Sequence, residues 1–387
     1  MRRVSRFVAL IFLLYGFISL YNMYERLLER ELQSTVLNLQ VDSGLPRKRL
    51  NRLQTFNNSE MYNASFPPQL RLVLGYMRGG STLTADLVRH TEGDFYMFEP
   101  LHALSQAVRW ENTTMFLNGT ERAIKREILE FVYPEMIYHW FTCNFTQIDL
   151  TALTDPFIAI HTPEHMEYYQ CFEDNMNRSM SLIESVKDCV DFLNAQCLTA
   201  KTRTIKTVRM SMSMAEKLLK WLPDLKVIYI IRDPRGILNS QFEQHVTEVK
   251  NMSFTVKNVC DAIYSDSSHL TQMEVYLKSR IKSIIYENLC QNPLKLVPEI
   301  YMFLKAEYTK EEEDYVRQIM NGPVKICHYC TDRGDALGNA YRWIHVIKED
   351  TLITIDHYCS FLYTKFGYQH LEFDNLNTTR FSWILVS

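Results

Sequence analysis

Two short stretches set cations and glycines where an anion could be held. Arg78-Gly79-Gly80-Ser81-Thr82 follows the apolar run Leu70–Met77 and precedes a segment with Leu83, Leu87 and Val88 on one helical face. Glycines let a backbone approach an anion closely, and the N–H groups that open a helix point at it. Ser81 and Thr82 add hydroxyls, and Arg78 adds a planar fork of donors. The spacing is not GxxxxGK[ST], so no lysine is set on the β- and γ-phosphates of a nucleoside triphosphate. Alone, a Gly-Gly-Ser turn is more often only a turn. The second stretch runs from Val227 through Arg232-Asp233-Pro234-Arg235 to Ser240. It puts an arginine at the carboxyl end of a strand and a serine within two turns of the next helix. Both can converge on one phosphate beside the carboxyl ends of a parallel sheet. The competing reading is a surface arginine paired with Asp233.

The elements that must carry these residues follow an α/β pattern, a parallel sheet flanked by helices. Leu70–Met77, Thr204–Val208, Val227–Ile231 and Ile281–Tyr286 read as strands. A helix with Met212, Ala215, Leu219 and Leu222 on its apolar face ends near Pro223. Asp233 as N-cap and Pro234 at the first position open another. Val297, Ile300, Tyr301 and Leu304 align on a helix in which Pro298 implies either a kink or a later start. Leu352, Ile355, Cys359 and Leu362 mark a last helix, stopped by Gly367. Trp110–Thr199 has few clean periods and reads as an insertion or lid on the sheet's edge.

Together the two loops resemble the cofactor site of sulfotransferases that use 3′-phosphoadenosine 5′-phosphosulfate. More narrowly, the chain is similar to the Golgi carbohydrate sulfotransferases of the galactose/N-acetylglucosamine/N-acetylgalactosamine 6-O group. That group's R-x-G-S-[ST] and F-Y-x-F-E-P-x-x-H match Arg78 to Thr82 and Phe95 to His102. Its K-x-V-R matches Lys206 to Arg209, its R-D-P-R-x-x-x-x-S matches Arg232 to Ser240, and its Tyr-Glu with a later proline matches Tyr286, Glu287 and Pro293. The closing positions correspond to Trp343, Cys359 and Gly367-Tyr368. The sequence departs from the pattern at Gly80, Ile285, Asn288 and Gln241.

The resemblance implies a P-loop-like sulfotransferase fold and transfer of a sulfuryl group to a sugar hydroxyl, the 6-hydroxyl of Gal, GlcNAc or GalNAc in glycans or proteoglycans. It implies that Arg78 and the amides of Gly79, Gly80, Ser81 and Thr82 hold the 5′-phosphate, and that Arg232 and Ser240 hold the 3′-phosphate. Lys206 is the expected donor near the leaving oxygen. Glu99, in a Tyr/Phe-rich setting that could desolvate a carboxylate, is the first candidate for the base, and His102 the second. The alternative for Glu99 is an ion pair with an arginine such as Arg209. No metal is implied.

The rest of the chain bears on compartment. Its 387 residues are 47% hydrophobic and 22% charged with a net charge of −3, which excludes a disordered chain and offers no cationic excess for nucleic acid. Arg2, Arg3 and Arg6 precede the uncharged run Phe7–Tyr24, which leaves no small-residue cleavage site. Residues 1–6 therefore read as a cytoplasmic tail, 7–24 as a transmembrane signal anchor, 25–68 as a stem and 69–387 as a lumenal domain. Acceptor sequons at Asn57, Asn63, Asn112, Asn118, Asn144, Asn177, Asn251 and Asn377 agree with a lumenal, glycosylated protein on the Golgi membrane. Nine cysteines fit an oxidising compartment, leave their pairing open and leave at least one unpaired. Cys327-His-Tyr-Cys330 reads as a local disulfide rather than half a zinc site. Leucines within Glu25–Val41 could pair stems into a homodimer, though a plain tether is the simpler reading. Other readings are a tyrosylprotein sulfotransferase, which would differ in its acceptor groove, and a lumenal glycosyltransferase, for which the Asp-x-Asp metal pair is missing.

Overall fold

Five parallel strands form the central sheet: β1 (Gln69–Gly75), β2 (Asp94–Phe98), β3 (Thr202–Thr207), β4 (Leu225–Ile231) and β5 (Ile281–Ile285), in the order β2-β3-β1-β4-β5. The computed structural model describes residues 67–89, 93–246, 251–323, 331 and 334–378. The tail, the anchor at 7–24, nearly all of the stem and Cys327–Cys330 lie outside them. Among the described residues no helix is long and apolar enough to cross a membrane.

The middle of the sheet is buried on both sides. Leu72 and Leu74 of β1 face one apolar cluster and Val73 the other; Val227 and Tyr229 of β4 divide from Ile228 and Ile230 in the same way. This is why the strands read as continuous apolar runs. Strand β3 is the exception, Thr-Arg-Thr-Ile-Lys-Thr with every residue buried. Most of its polar side chains are paired: Arg203 donates to the carbonyls of Phe141 (2.7 Å) and Cys197 (3.0 Å), and Thr204 to Asp94 (2.8 Å).

Two expectations are corrected. The sheet has a fifth strand, β2, beyond the four that the sequence pattern predicts. The region Trp110–Thr199 is no appended lid; Val132, Met136, Trp140, Phe145 and Leu193 fill one of the two core clusters. Removing that region would uncover part of one face of the sheet, the rest of which is covered by Met212, Ala215, Leu218 and Leu219. The helix Pro293–Leu304 starts at its first proline and continues past Pro298, so the later start does not occur.

Four helices position the site: α1 (Ser81–Arg89), α2 (His102–Trp110), α3 (Pro156–His161) and α4 (Pro234–Glu243). Behind them α5 (Met252–Leu277) packs on α6 (Glu349–Phe366), which ends at Gly367 in the left-handed conformation, φ 79°. The disulfide Cys260–Cys359 joins these two across 99 residues. Cys143–Cys197 and Cys171–Cys189 tie the middle region, and Cys290 is a buried free thiol. Closing so long a loop removes much unfolded-chain freedom. Replacing Cys260 and Cys359 together by Ser is expected to lower unfolding stability by about 2–4 kcal/mol, read from the urea midpoint. The Cys171/Cys189 pair, only 18 residues apart, should cost less.

Candidate functional site

The carboxyl ends of β1, β2, β3 and β4 open into one cavity of about 360 Å³. Arg78, Ser81, Glu99, His102, Lys206, Arg232 and Ser240 all line it. Phe98 pairs with Lys206 in register, so Glu99 and Lys206 emerge side by side. In the same way Gly75 lies opposite Ile230, which brings the loop after β1 against the loop after β4.

Those two loops are tied together. Arg232 Nη1 donates to the Arg78 carbonyl at 2.7 Å, and Arg78 Nε donates to Ser240 Oγ at 3.0 Å. Gln241 adds a bond to the Met77 carbonyl at 2.9 Å. The loop itself is a tight reversal with Arg78 at φ 66° and Gly80 at φ 92°. Gly79 turns its N–H back to Tyr76 at 2.8 Å, so this amide of the loop is already engaged. The N–H groups of Gly80, Ser81 and Thr82 precede the first helical bond, Thr84 to Gly80, and mark the open end of α1.

Arg232 is held by a second carbonyl, Ala340 at 3.0 Å, and stands 4.8 Å from the Tyr286 ring centre. Its Nε is buried and makes no hydrogen bond among the described residues, and Trp343 Nε1 is in the same condition. A Cβ on Gly236 would come within 3.2 Å of both nitrogens. The glycine thus leaves room beside two unpartnered buried donors, a cradle that suits an anionic oxygen. Beneath it, Asp233 caps α4 through the Arg235 N–H (2.9 Å) and pairs with the Arg235 guanidinium (2.8 Å), both side chains fully buried. Glu287 accepts from the Asp233 N–H and Tyr368 OH. Burial, with Asp233 adding to it, pushes the Glu287 carboxyl up to about 7.

On the opposite wall, Glu99 sits in the left-handed conformation, φ 51°, and is almost fully buried. Lys206 Nζ donates to it at 2.6 Å, Arg209 makes a second ion pair, and the Val208 N–H a third contact at 3.3 Å. Burial would raise this carboxyl; the Lys206 ammonium and Arg209 guanidinium outweigh that and hold it below the usual range. Lys206 also lies 4.3 Å over the Phe98 ring. His102 bonds through Nδ1 to Asp155 at 2.7 Å and stacks on Phe157 at 4.1 Å.

Nine of the ten expected site residues line this cavity; Gly79, in the same loop, does not. The ion pair weighed as the alternative for Glu99 is present, and a carboxylate already engaged by two cations is a weak proton acceptor. Sequence reasoning missed Asp155, Phe157 and Gly236. Asp155-Pro156 carries the same Asp-Pro start signal as Asp233-Pro234, but nothing local says that it reaches His102.

The sulfotransferase family model matches residues 72–310. Carbohydrate sulfotransferase 1 of Danio rerio is 25% identical over 345 residues, covering 80% of this chain and 79% of that protein. Its Mus musculus counterpart is 25% identical over 363 residues, 85% of each chain. Carbohydrate sulfotransferase 3 of Homo sapiens is 21% identical over 278 residues, 64% of this chain and 56% of that one. Among solved structures, retinol dehydratase in complex with androsterone and inactive cofactor PAP covers 80% of this chain at 15% identity and a TM-score of 0.41. The family match takes in most of β1, both tied loops and the other four strands of the sheet, and on it this chain belongs to the sulfotransferase family.

Proposed function

We propose that this protein transfers a sulfuryl group from 3′-phosphoadenosine 5′-phosphosulfate to a carbohydrate hydroxyl, the 6-hydroxyl of Gal, GlcNAc or GalNAc, in the Golgi lumen. The observation that carries the reading is the tie between the two loops, which sets two groups of anion donors in one cavity. The relatives' names support a sugar acceptor, and the sequons, disulfides and N-terminal apolar run support a lumenal domain on a membrane anchor.

The donor supplies an activated sulfuryl group on a nucleotide carrying two phosphate sites. Arg78 and the N–H groups of Gly80, Ser81 and Thr82 hold the 5′ side. Arg232 and Ser240, with the Trp343 N–H beside them, hold the 3′-phosphate. Lys206 is aimed by Glu99 toward the oxygen that gains charge, where a fixed cation stabilises the transition state more than the ground state. Arg209, through Glu99 and Ser105 (2.8 Å), fixes the wall against which the acceptor lies.

Arg232→Ala is expected to weaken binding of 3′,5′-adenosine bisphosphate about 10- to 150-fold, the loss of about 1.5–3 kcal/mol that a charged hydrogen bond carries. Calorimetric titration reads this directly. Unchanged affinity removes the 3′-phosphate assignment. The function is tested by incubating the protein with radiolabelled sulfate donor and a panel of glycans and tyrosine peptides, followed by linkage analysis. Label confined to peptide, or no label, overturns the proposal.

A further inference from the structure

The acceptor hydroxyl must lose a proton, and Glu99 is occupied by Lys206 and Arg209. The other titratable group in the cavity with a bond that would prepare it for this is His102. Resting on the function proposed above, we infer that Asp155 is a positioning residue that fixes the tautomer and orientation of His102 and leaves its Nε2 to accept the sugar hydroxyl's proton.

Four observations converge. His102 Nδ1 lies 2.7 Å from Asp155 Oδ2, with the carboxylate 6% and the imidazole 23% exposed. A carboxylate only accepts, so Nδ1 carries the hydrogen and Nε2 the lone pair. Nε2 makes no hydrogen bond among the described residues, and His102 borders the cavity. Asp155 is itself held, because its Oδ1 accepts the Phe157 N–H at 2.9 Å as the N-cap of α3. Finally, Phe157 stacks on the imidazole, so one short helix supplies both the orienting carboxylate and the ring that limits imidazole rotation. The remaining ionisable groups nearby are His161 on α3, paired to the Phe157 carbonyl, and Lys206 on β3. Neither competes for Nδ1.

In the transfer, Nε2 takes the hydroxyl proton as the sugar oxygen bonds to sulfur. The bond from sulfur to the bridging oxygen breaks, and its electron pair leaves on the 5′-phosphate of 3′,5′-adenosine bisphosphate. The resulting imidazolium is balanced by Asp155, and the product is a sugar sulfate ester.

Asp155→Asn is the discriminating variant. Asparagine is as good an N-cap as aspartate, so α3 keeps its start. Its amide NH₂ can now donate to Nδ1, which favours the opposite tautomer with the hydrogen on Nε2. The expected result is a fall in kcat of at least ~100-fold, with affinity for 3′,5′-adenosine bisphosphate and the acceptor KM within about threefold of wild type. His102→Gln should lose a similar factor, and the double variant should lose no more than the worse single. Independently, ¹⁵N-histidine NMR of the wild-type protein, with His102 assigned by its absence in His102→Gln, should show Nδ1 protonated and Nε2 bare. That spectrum does not depend on any variant folding. The inference is overturned by the reverse tautomer, by Asp155→Asn or His102→Gln retaining near-wild-type kcat, or by losses that multiply in the double variant. Failure of the wild-type protein to bind the nucleotide or transfer sulfate would instead remove the function on which it rests.

Discussion

Glu99→Gln is expected to lower folding stability by about 3–5 kcal/mol and turnover by at least ~100-fold. The carboxylate lies between Lys206 and Arg209, and glutamine leaves both cations without a counter-charge in a buried place. If Glu99 were only the proton acceptor, turnover would fall and stability would hold. Adding Lys206→Met separates the two readings. It removes one uncompensated charge, so thermal stability should partly recover while turnover falls further. The pH dependence has a definite sign. Because the folded carboxyl is held below its ordinary value, the stability it contributes is present above about pH 4.5, the unfolded value, and is lost as pH falls through the folded pKa. Wild type should therefore lose this contribution only in acid, and Glu99→Gln should flatten the stability profile there. Denaturant midpoints from pH 3 to 7 measure both.

Gly80→Ala is expected to be nearly as damaging, by a different route. The residue has φ 92°, which strains any L side chain, and the added Cβ would sit 2.1 Å from Cδ2 of Tyr286. The backbone strain costs about 1–3 kcal/mol and overpacking a similar amount. Tyr286 also supports Arg232, so the disturbance passes from one anion site to the other. Titration with 3′,5′-adenosine bisphosphate should show affinity lost by more than tenfold. Gly80→Ala combined with Tyr286→Leu should regain part of the stability, since the clash is relieved and the φ strain remains. Full recovery would mean that φ at position 80 carries no cost.

What could be read from the sequence divides along the distance between partners. The loop after β1, the start of α4 at Asp233-Pro234 and the stop at Gly367 were legible because glycine, proline and capping residues act on their own neighbours. Strand β2 was not. Asp-Phe-Tyr-Met-Phe is short, four of its five residues are buried, and it is fixed by pairing with β3 more than 100 residues later. β3 itself was found only in part, since its buried threonines, arginine and lysine look like a surface until Phe141, Cys197, Asp94 and Glu99 are brought to them. Within the site, the residue types were legible and their partners were not. Glu99 stood out beside His102, but the sequence could not choose between proton acceptor and ion-pair partner, because Lys206 and Arg209 reach it from another strand end.

The bonds from Arg232 to the Arg78 carbonyl and from Arg78 to Ser240 join the two loops through the protein's own groups. Groups fixed in this way have little freedom left to lose on gripping a ligand, and on the function proposed above they hold the nucleotide by its phosphates, not by its sulfate. On that reading the spent nucleotide keeps both of the phosphates assigned to the two loops. Exhausted donor should therefore compete strongly with fresh donor, and sustained output would depend on whatever enzyme clears 3′,5′-adenosine bisphosphate from the same compartment.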